Sequence, residues 1–278
     1  MARTEGRITR GTTGVNRLRR VDRWIQTLPP LRTPNALVVD LGFGASATTT
    51  LEMAARLREV NPSLSVLGFE IDPERVARAN AELEAASERG ASQFGRAGGE
   101  LLDGAAPVRF ALGGFEIPSA QRPHVIRAMN VLRQYEEHEV SAHWKTITAR
   151  LAPGGVLVEG TSNESGRVAS WVTIDANGPR WFTIAVHIPS LESPSIVAER
   201  LPKALIHRNV EGEPIHAFLR SLEDEWVKNA PLTSFSASQR WLASVASLRE
   251  RGVPVQHGAS RWRLGEVTVP WESVAPRS

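Results

Sequence analysis

Residues 37–46 read Leu-Val-Val-Asp-Leu-Gly-Phe-Gly-Ala-Ser. Together with Ala36, the run up to Leu41 is apolar except for Asp40, and its continuity predicts a strand, 36–41, buried on both faces. Gly42 and Gly44 then predict a short strand-to-helix turn whose backbone approaches a ligand closely, because glycine has no side chain and tolerates positive φ. Ser46 is the expected N-cap of the next helix, whose stripe of Leu51, Ala54, Ala55 and Leu57 to Val60 stops at Asn61-Pro62. Read as G-x-G-x-x-A with Ala47 in third place, the turn also admits a dinucleotide, and alone it does not choose. Asp40 requires a partner, since an acid inside an apolar run is costly to bury without a ligand or a hydrogen-bond network.

Working outward, the unit repeats. Leu64–Phe69 predicts a second strand ending at Glu70, followed by a helix from Asp72, with Pro73 at its first position, to about Arg89. A Gly-rich link, 90–106, leads to a third strand, Val108–Leu112, and His124–Met129 gives a fourth. A helix over 136–151 stops at Ala152-Pro153-Gly154-Gly155 before a fifth strand, Val156–Glu159. Ser170–Asp175 and Arg180–His187 then alternate in polarity around Ala176-Asn177-Gly178-Pro179, which predicts a hairpin. The expected fold is α/β: a doubly wound, seven-stranded Rossmann-like sheet with a C-terminal antiparallel hairpin. Three segments follow from this pattern: a basic N-terminal arm, 1–35; a core, 36–188; and a mainly helical C-terminal extension, 189–278. In the extension, helices are expected near Ser195–Arg208, Pro214–Asn229 and Ala237–Arg251, then a β-like tail, Arg261–Trp271.

The 278-residue chain contains no cysteine. That excludes disulfides, thiolate zinc sites, iron-sulfur clusters and thiol nucleophiles. No apolar run approaches the roughly 20 residues of a membrane helix, and the opening stretch lacks the apolar segment of a secretory signal, so a cytoplasmic protein without a membrane partner is expected. The net charge of +3 conceals an asymmetry. Arg3, Arg7, Arg10, Arg17, Arg19, Arg20, Arg23 and Arg32 face only Glu5 and Asp22 in the arm, which leaves a mildly acidic body.

Three stretches, taken in order, resemble the class I, Rossmann-like S-adenosylmethionine-dependent methyltransferases: V-V-D-L-G-F-G at 38–44, G-F-E-I-D-P at 68–73 and L-A-P-G-G-V-L-V at 151–158. The resemblance implies S-adenosylmethionine as cofactor and no metal. Gly42 and Gly44 would pass its methionine portion over the backbone, with Ser46 at the helix start, and Asp40 would hold its ammonium. Glu70 would bind the ribose hydroxyls and Ile71 would pack on the adenine. Gly114 and Phe115, in Gly113-Gly114-Phe115-Glu116, would meet the adenine edge, although many relatives carry Asp there. Asn130 and Val131 would lie where the methyl faces its acceptor.

Methyl transfer from a sulfonium is an in-line displacement, so alignment and desolvation supply much of the acceleration. Without cysteine, attack from pyrimidine C5 by the usual thiolate route is excluded. The sequence Asn130-Val131-Leu132-Arg133-Gln134-Tyr135 lacks both prolines of the turn common in amino-group methylases of nucleic acids. Tyr135, the only tyrosine, Arg133 and Asn130 are the candidate catalytic groups, with Arg127 and His138 as similar candidates; His138 reads as an exposed helix residue. The acceptor is a small molecule or RNA, with the balance toward a small molecule.

The arm admits three roles. Thr12, Thr13, Asn16 or Arg17 contacts the cofactor or substrate; the arginines meet phosphates; or a leader helix docks Val21, Trp24, Ile25 and Leu28 on the core. Trp226, Trp241, Trp262 and Trp271 either pack the C-terminal helices or form an apolar lid. An NAD(P)-dependent oxidoreductase and a non-catalytic cofactor- or RNA-binding accessory protein are the alternative functions.

Overall fold

The computed structural model describes residues 4–9, 13–88 and 107–277. The Gly-rich link expected over 90–106, and Arg3, Arg10 and Thr12 of the arm, lie outside the described residues. The strands are β1 (Leu37–Leu41), β2 (Ser65–Glu70), β3 (Val108–Leu112), β4 (Val125–Met129), β5 (Val156–Ser162), β6 (Val168–Asp175), β7 (Gly178–Val186) and β8 (Glu266–Pro270). They form one sheet in the order β3-β2-β1-β4-β5-β6-β7-β8. The first five in that order run parallel. β6, β7 and β8 add to the β5 edge as an antiparallel meander. The expected hairpin is therefore β6–β7. The sheet has eight strands instead of seven because the β-like tail supplies β8, which pairs Val269 with Phe182.

The helices are α1 (Arg19–Ile25), α2 (Thr48–Arg58), α3 (Pro73–Glu88), α4 (Glu137–Thr148), α5 (Lys203–Ile206), α6 (Pro214–Lys228), α7 (Ala237–Glu250) and α8 (Ala259–Trp262). None among the described residues is long and apolar enough to cross a membrane. The helix expected over Ser195–Arg208 is instead a 3-10 stretch, Pro194–Arg200, and the short α5. Pro202 is the cause: it holds Leu201 extended, at φ −68° and ψ 146°, and so breaks the helix. Ser46 is not the N-cap of α2 either. That place falls to Ala47, whose N–H donates to Glu82 Oε2 at 2.7 Å.

β1 shows why its run is apolar throughout. Leu37, Val39 and Leu41 face a cluster with Val140, Trp144 and Ile147 of α4 and Phe218, Leu222 and Trp241 of α6 and α7. Ala36 and Val38 face the opposite cluster, with Val21, Trp24 and Ile25 of α1 and Leu51, Ala54 and Leu57 of α2. The arm thus docks a leader helix, with Leu28 also buried. Trp226, Trp241 and Trp262 are buried, Trp241 donating through its indole N–H to the Trp262 carbonyl at 2.8 Å. Trp271 stacks edge-on against Trp144, 5.7 Å between ring centres. These four tryptophans fasten the C-terminal helices to the sheet.

Candidate active site

In an open α/β sheet, ligands bind beyond the carboxyl ends of the strands where the strand order reverses. Here that place lies between β1 and β4, and it holds a cavity of about 350 Å³. Strand ends supply Asp40, Gly42, Gly44, Met129 and Asn130; the arm supplies Thr13 and Arg17; Arg133, Glu164 and Arg200 complete the polar wall.

The glycine turn has the geometry its sequence implies. Gly42 and Gly44 sit at φ +67° and +90°, where a Cβ is strained. A Cβ on Gly42 would also stand 2.8 Å from a Val131 methyl. Gly42 N–H donates to the Phe69 carbonyl at 2.7 Å, and Gly44 N–H donates to Glu70 Oε2 at 3.1 Å. Glu70 is buried at the end of β2, its other oxygen accepting from the Ile71 N–H at 2.9 Å. Arg75 lies 3.4 Å from Glu70 Oε2. Across the turn, Asn130 adopts φ +62°, a conformation rare outside glycine. It is held there by its N–H to the Gly160 carbonyl (2.7 Å) and by its Oδ1, which accepts from Ser162 N–H (3.0 Å).

Asp40 has its partner inside the protein. Arg127, directly beside it in the β1–β4 register, donates Nε to Oδ1 at 2.9 Å and Nη2 to Oδ2 at 2.5 Å. Thr50 Oγ1 adds a third hydrogen bond at 2.6 Å. The third guanidinium nitrogen of Arg127 reaches Asp22 of α1 at 2.5 Å, and Asp22 is shared with Arg56 of α2 at 2.6 Å. Burial opposes the charge on Arg127, but the pull of Asp40 and then Asp22 outweighs it and raises its pKa above the ordinary value. Arg127 is therefore part of the structure under α1 and α2 and does not reach the cleft as an independent group. Sequence reasoning missed Asp22 and Arg56 as members of this network, although an acid on the buried stripe of α1 was a visible signal for a partner.

Two arginines of the arm are engaged with carbonyls of the core, whereas Arg19, Arg23 and Arg32 are exposed. Arg17 donates to the carbonyls of Asn163 (3.2 Å) and Ser162 (3.1 Å), and Arg20 to those of Gly166 (3.1 Å) and Leu264 (2.9 Å). Burial lowers the Arg17 pKa; Glu164 opposes that shift and Arg200 reinforces it. Asn16 N–H is clasped by both carboxylate oxygens of Glu52, at 2.9 and 3.0 Å. Thr13 Oγ1 lies 3.0 Å from the Ser46 hydroxyl, which also contacts Thr48.

Beside the open cavity, the rim formed by β2 and β3 is covered by residues 5–9. Glu5 N–H donates to Glu116 Oε2, and the Glu5 carbonyl accepts from Phe115 N–H, both at 2.9 Å. The close approach needs Gly114: a Cβ there would lie 1.9 Å from the Glu5 carbonyl oxygen. Arg7 N–H donates to the Tyr135 hydroxyl at 2.5 Å. Thr9 is held by Arg75, the same residue that pairs with Glu70. Between this segment and Gly42, Glu70, Ile71 and Val131 only about 20 Å³ remains. Burial raises the Tyr135 pKa, the Arg7 N–H opposing it, so the hydroxyl stays protonated at neutral pH.

The structure therefore gathers Asp40, Gly42, Gly44, Asn130 and Arg133 on the cavity, and Glu70, Ile71, Gly114, Phe115, Val131 and Tyr135 on the covered rim. His138 is exposed on α4. Thr9, Arg75, Glu164 and Arg200 were not assigned to the site by sequence. Among the described residues no group of three or more His, Asp or Glu gathers in a metal-binding arrangement. An adenosyl ligand with a methionine tail suits this donor set: a carboxylate at the end of β2, a donor and an acceptor side by side at Phe115 and Glu116, and a glycine turn leading to a basic chamber. Its adenine end would fall at the place taken by residues 5–9.

No protein-family model matches the chain, and no curated protein matches it. Similar solved structures include a magnesium protoporphyrin IX methyltransferase from Synechocystis with bound SAH, at 17% identity over 51% of this chain and 53% of that one, TM-score 0.35. A SAM-dependent methyltransferase from Leishmania major gives 14% identity, 52% and 48% coverage and a TM-score of 0.34. One from Methanosarcina mazei gives 18%, 46% and 54%, and 0.32. The chain spans about half the length of each.

Proposed function

We propose that this chain is an S-adenosylmethionine-dependent methyltransferase whose acceptor is a small molecule. The observation that carries the reading is the placement of buried Glu70, 3.1 Å from the Gly44 N–H, at the junction of the positive-φ glycine turn and the Phe115–Glu116 edge. One carboxylate there can accept from a ribose diol while the turn leads the rest of the ligand into the chamber at the β1–β4 switch. When bound, the cofactor supplies an electrophilic methyl on a sulfonium. Gly42 and Gly44 let the chain pass close to it, Glu70 orients the ribose, and Asn130 and Val131 bound the side from which an acceptor approaches. Arg17, Arg133 and Arg200 line the chamber together with Glu164 and with Asp40, which is paired to Arg127. That excess of positive charge suits a carboxylate, either the methionine carboxylate or one on the acceptor. Tyr135, buried on the rim with its hydroxyl accepting from the Arg7 N–H, would serve as a protonated hydrogen-bonding group that positions the ligand.

A small acceptor is favoured over RNA in that two of the arm's arginines, Arg17 and Arg20, are engaged with backbone carbonyls of the chain itself, although Arg19, Arg23 and Arg32 are exposed. One observation favours a second reading, a non-catalytic protein of the same fold: residues 5–9 cover the adenine end of the crevice. Calorimetric titration with S-adenosylhomocysteine and with NAD, followed by transfer of labelled methyl into a cell extract fractionated by molecular class, tests the proposal. Saturable binding of S-adenosylhomocysteine and label in the small-molecule fraction are expected; binding of NAD alone overturns the reading.

A further inference from the structure

We propose that residues 5–9 are an internal competitor for the adenine of the cofactor, a strap whose backbone occupies the adenine subsite and must leave before the ligand enters. The inference rests on the cofactor assignment proposed above. The Watson–Crick edge of adenine presents an N–H donor, the 6-amino group, beside an acceptor, N1. The Glu5 peptide groups present the same pair: its N–H donates to Glu116 Oε2 and its carbonyl accepts from Phe115 N–H, each at 2.9 Å. The next residue is Gly6 at φ +148°, and a Cβ there would meet Tyr135 Oη at 3.4 Å and Ile71 Cγ2 at 3.6 Å. The strap thus lies in the slot between Ile71 and Tyr135, where a flat base would sit. Further along, Arg7 is held from both sides, its N–H donating to Tyr135 Oη at 2.5 Å and its carbonyl accepting from Gln134 Nε2 at 2.7 Å. Thr9 takes both terminal nitrogens of Arg75, its carbonyl from Nη2 at 2.8 Å and its hydroxyl from Nη1 at 3.0 Å, which draws the strap over Glu70.

This contact is built for exchange. Its hydrogen bonds are made mainly through its own backbone groups, and Glu5, Gly6, Arg7 and Ile8 are all exposed, so little apolar surface is buried to oppose the entropy of ordering the segment. The residual space of about 20 Å³ at the rim admits no more than a water, whereas the neighbouring chamber of about 350 Å³ stays open. The two halves of the crevice are therefore gated separately: an acceptor can occupy the chamber while the adenine half is shut. The apparent affinity for the cofactor is the intrinsic one reduced by the fraction of molecules with the strap out.

The test uses the full chain carrying Gly6→Leu, whose side chain strains the φ +148° backbone that seats the strap, beside the wild type and a Glu5→Gln control, whose strap hydrogen bonds are all through the backbone. Binding of S-adenosylhomocysteine is measured by calorimetry, and amide exchange is followed at residues 5–9 and at Phe115. The proposal expects Gly6→Leu to bind at least about fivefold more tightly than the wild type or the control. It also expects saturating S-adenosylhomocysteine to speed exchange at 5–9 in the wild type while Phe115 stays protected. Equal affinity, with exchange at 5–9 unmoved by the ligand, overturns the strap alone and leaves the cofactor assignment intact. Weaker binding by Gly6→Leu makes the segment a clasp on the bound ligand and also overturns it. Absence of binding by all three folded proteins overturns the cofactor assignment and the strap with it.

Discussion

Replacing Arg127 by methionine should cost about 3–5 kcal/mol of folding stability near pH 7, the range for removing one partner of a buried ion pair. Arg127 and Asp22 are fully buried and Asp40 nearly so, with Arg127 donating to Asp40 at 2.9 and 2.5 Å and to Asp22 at 2.5 Å. Methionine fills much of the volume but donates no hydrogen bond. Asp22 then keeps Arg56, and Asp40 keeps only the Thr50 hydroxyl, so the larger share of the loss falls on Asp40. Against a typical total of about 5–15 kcal/mol, the variant would be folded but marginal. Urea unfolding at about pH 7 and about pH 5 separates this electrostatic cause from a packing defect. A stranded carboxylate has a folded-state pKa raised above its unfolded value, so the folded variant binds extra protons and regains stability as pH falls. The deficit should therefore shrink in acid, and adding Asp40→Asn to the variant should recover part of it at neutral pH. A deficit under about 1 kcal/mol, or one unchanged by acid, would refute the view that the network needs its arginine for charge balance.

Glu159 on β5 should make the protein less stable as pH rises. Burial pushes its carboxyl up to about 8, the Trp144 indole N–H only partly opposing this, so the stability associated with the neutral acid is complete below the unfolded pKa near 4.3 and is lost as pH climbs toward 8. The loss approaches about 1.4 kcal/mol per pH unit between those values; Glu159→Gln should flatten the slope, and parallel curves for the two proteins would remove Glu159 as its cause. Glu70→Ala should weaken S-adenosylhomocysteine binding by about 1.5–3 kcal/mol, roughly 10- to 150-fold, as measured by calorimetry on the folded variant; an unchanged Kd takes Glu70 out of the site. RNA or single-stranded DNA should show no salt-dependent mobility shift at about 50 mM salt, because Arg17 and Arg20 already donate to carbonyls of the chain. A shift that weakens steeply with added salt would return the arm to the phosphate reading.

What was legible in the sequence was whatever side-chain pattern expresses. The apolar run of β1 announced burial on two faces, and the structure divides it residue by residue between two clusters. Asp40 announced a partner without naming one, because Arg127 is a neighbour only through parallel pairing of β1 with β4, a register that no local pattern encodes. Pro202 is a different case. Its effect on Leu201 was readable, since the residue before a proline is driven out of the helical region, yet the helix expected over Ser195–Arg208 ran through it. The candidate site divides along the same line. Gly42, Gly44 and Glu70 stood out by residue type and position, whereas the strap works through the Glu5 N–H and carbonyl, the Phe115 N–H and the Arg7 N–H. Every residue except proline carries such groups, so the residues that close the adenine end leave almost no mark in composition or spacing. Two glycines are the exceptions: Gly6, whose φ of +148° disfavours any side chain, and Gly114, where a Cβ would lie 1.9 Å from the Glu5 carbonyl oxygen. Because Gly6 lies in the strap itself and Gly114 in the rim the ligand would use, a single substitution at Gly6, and not removal of the arm, can separate a strap that competes with the cofactor from a leader that merely covers it.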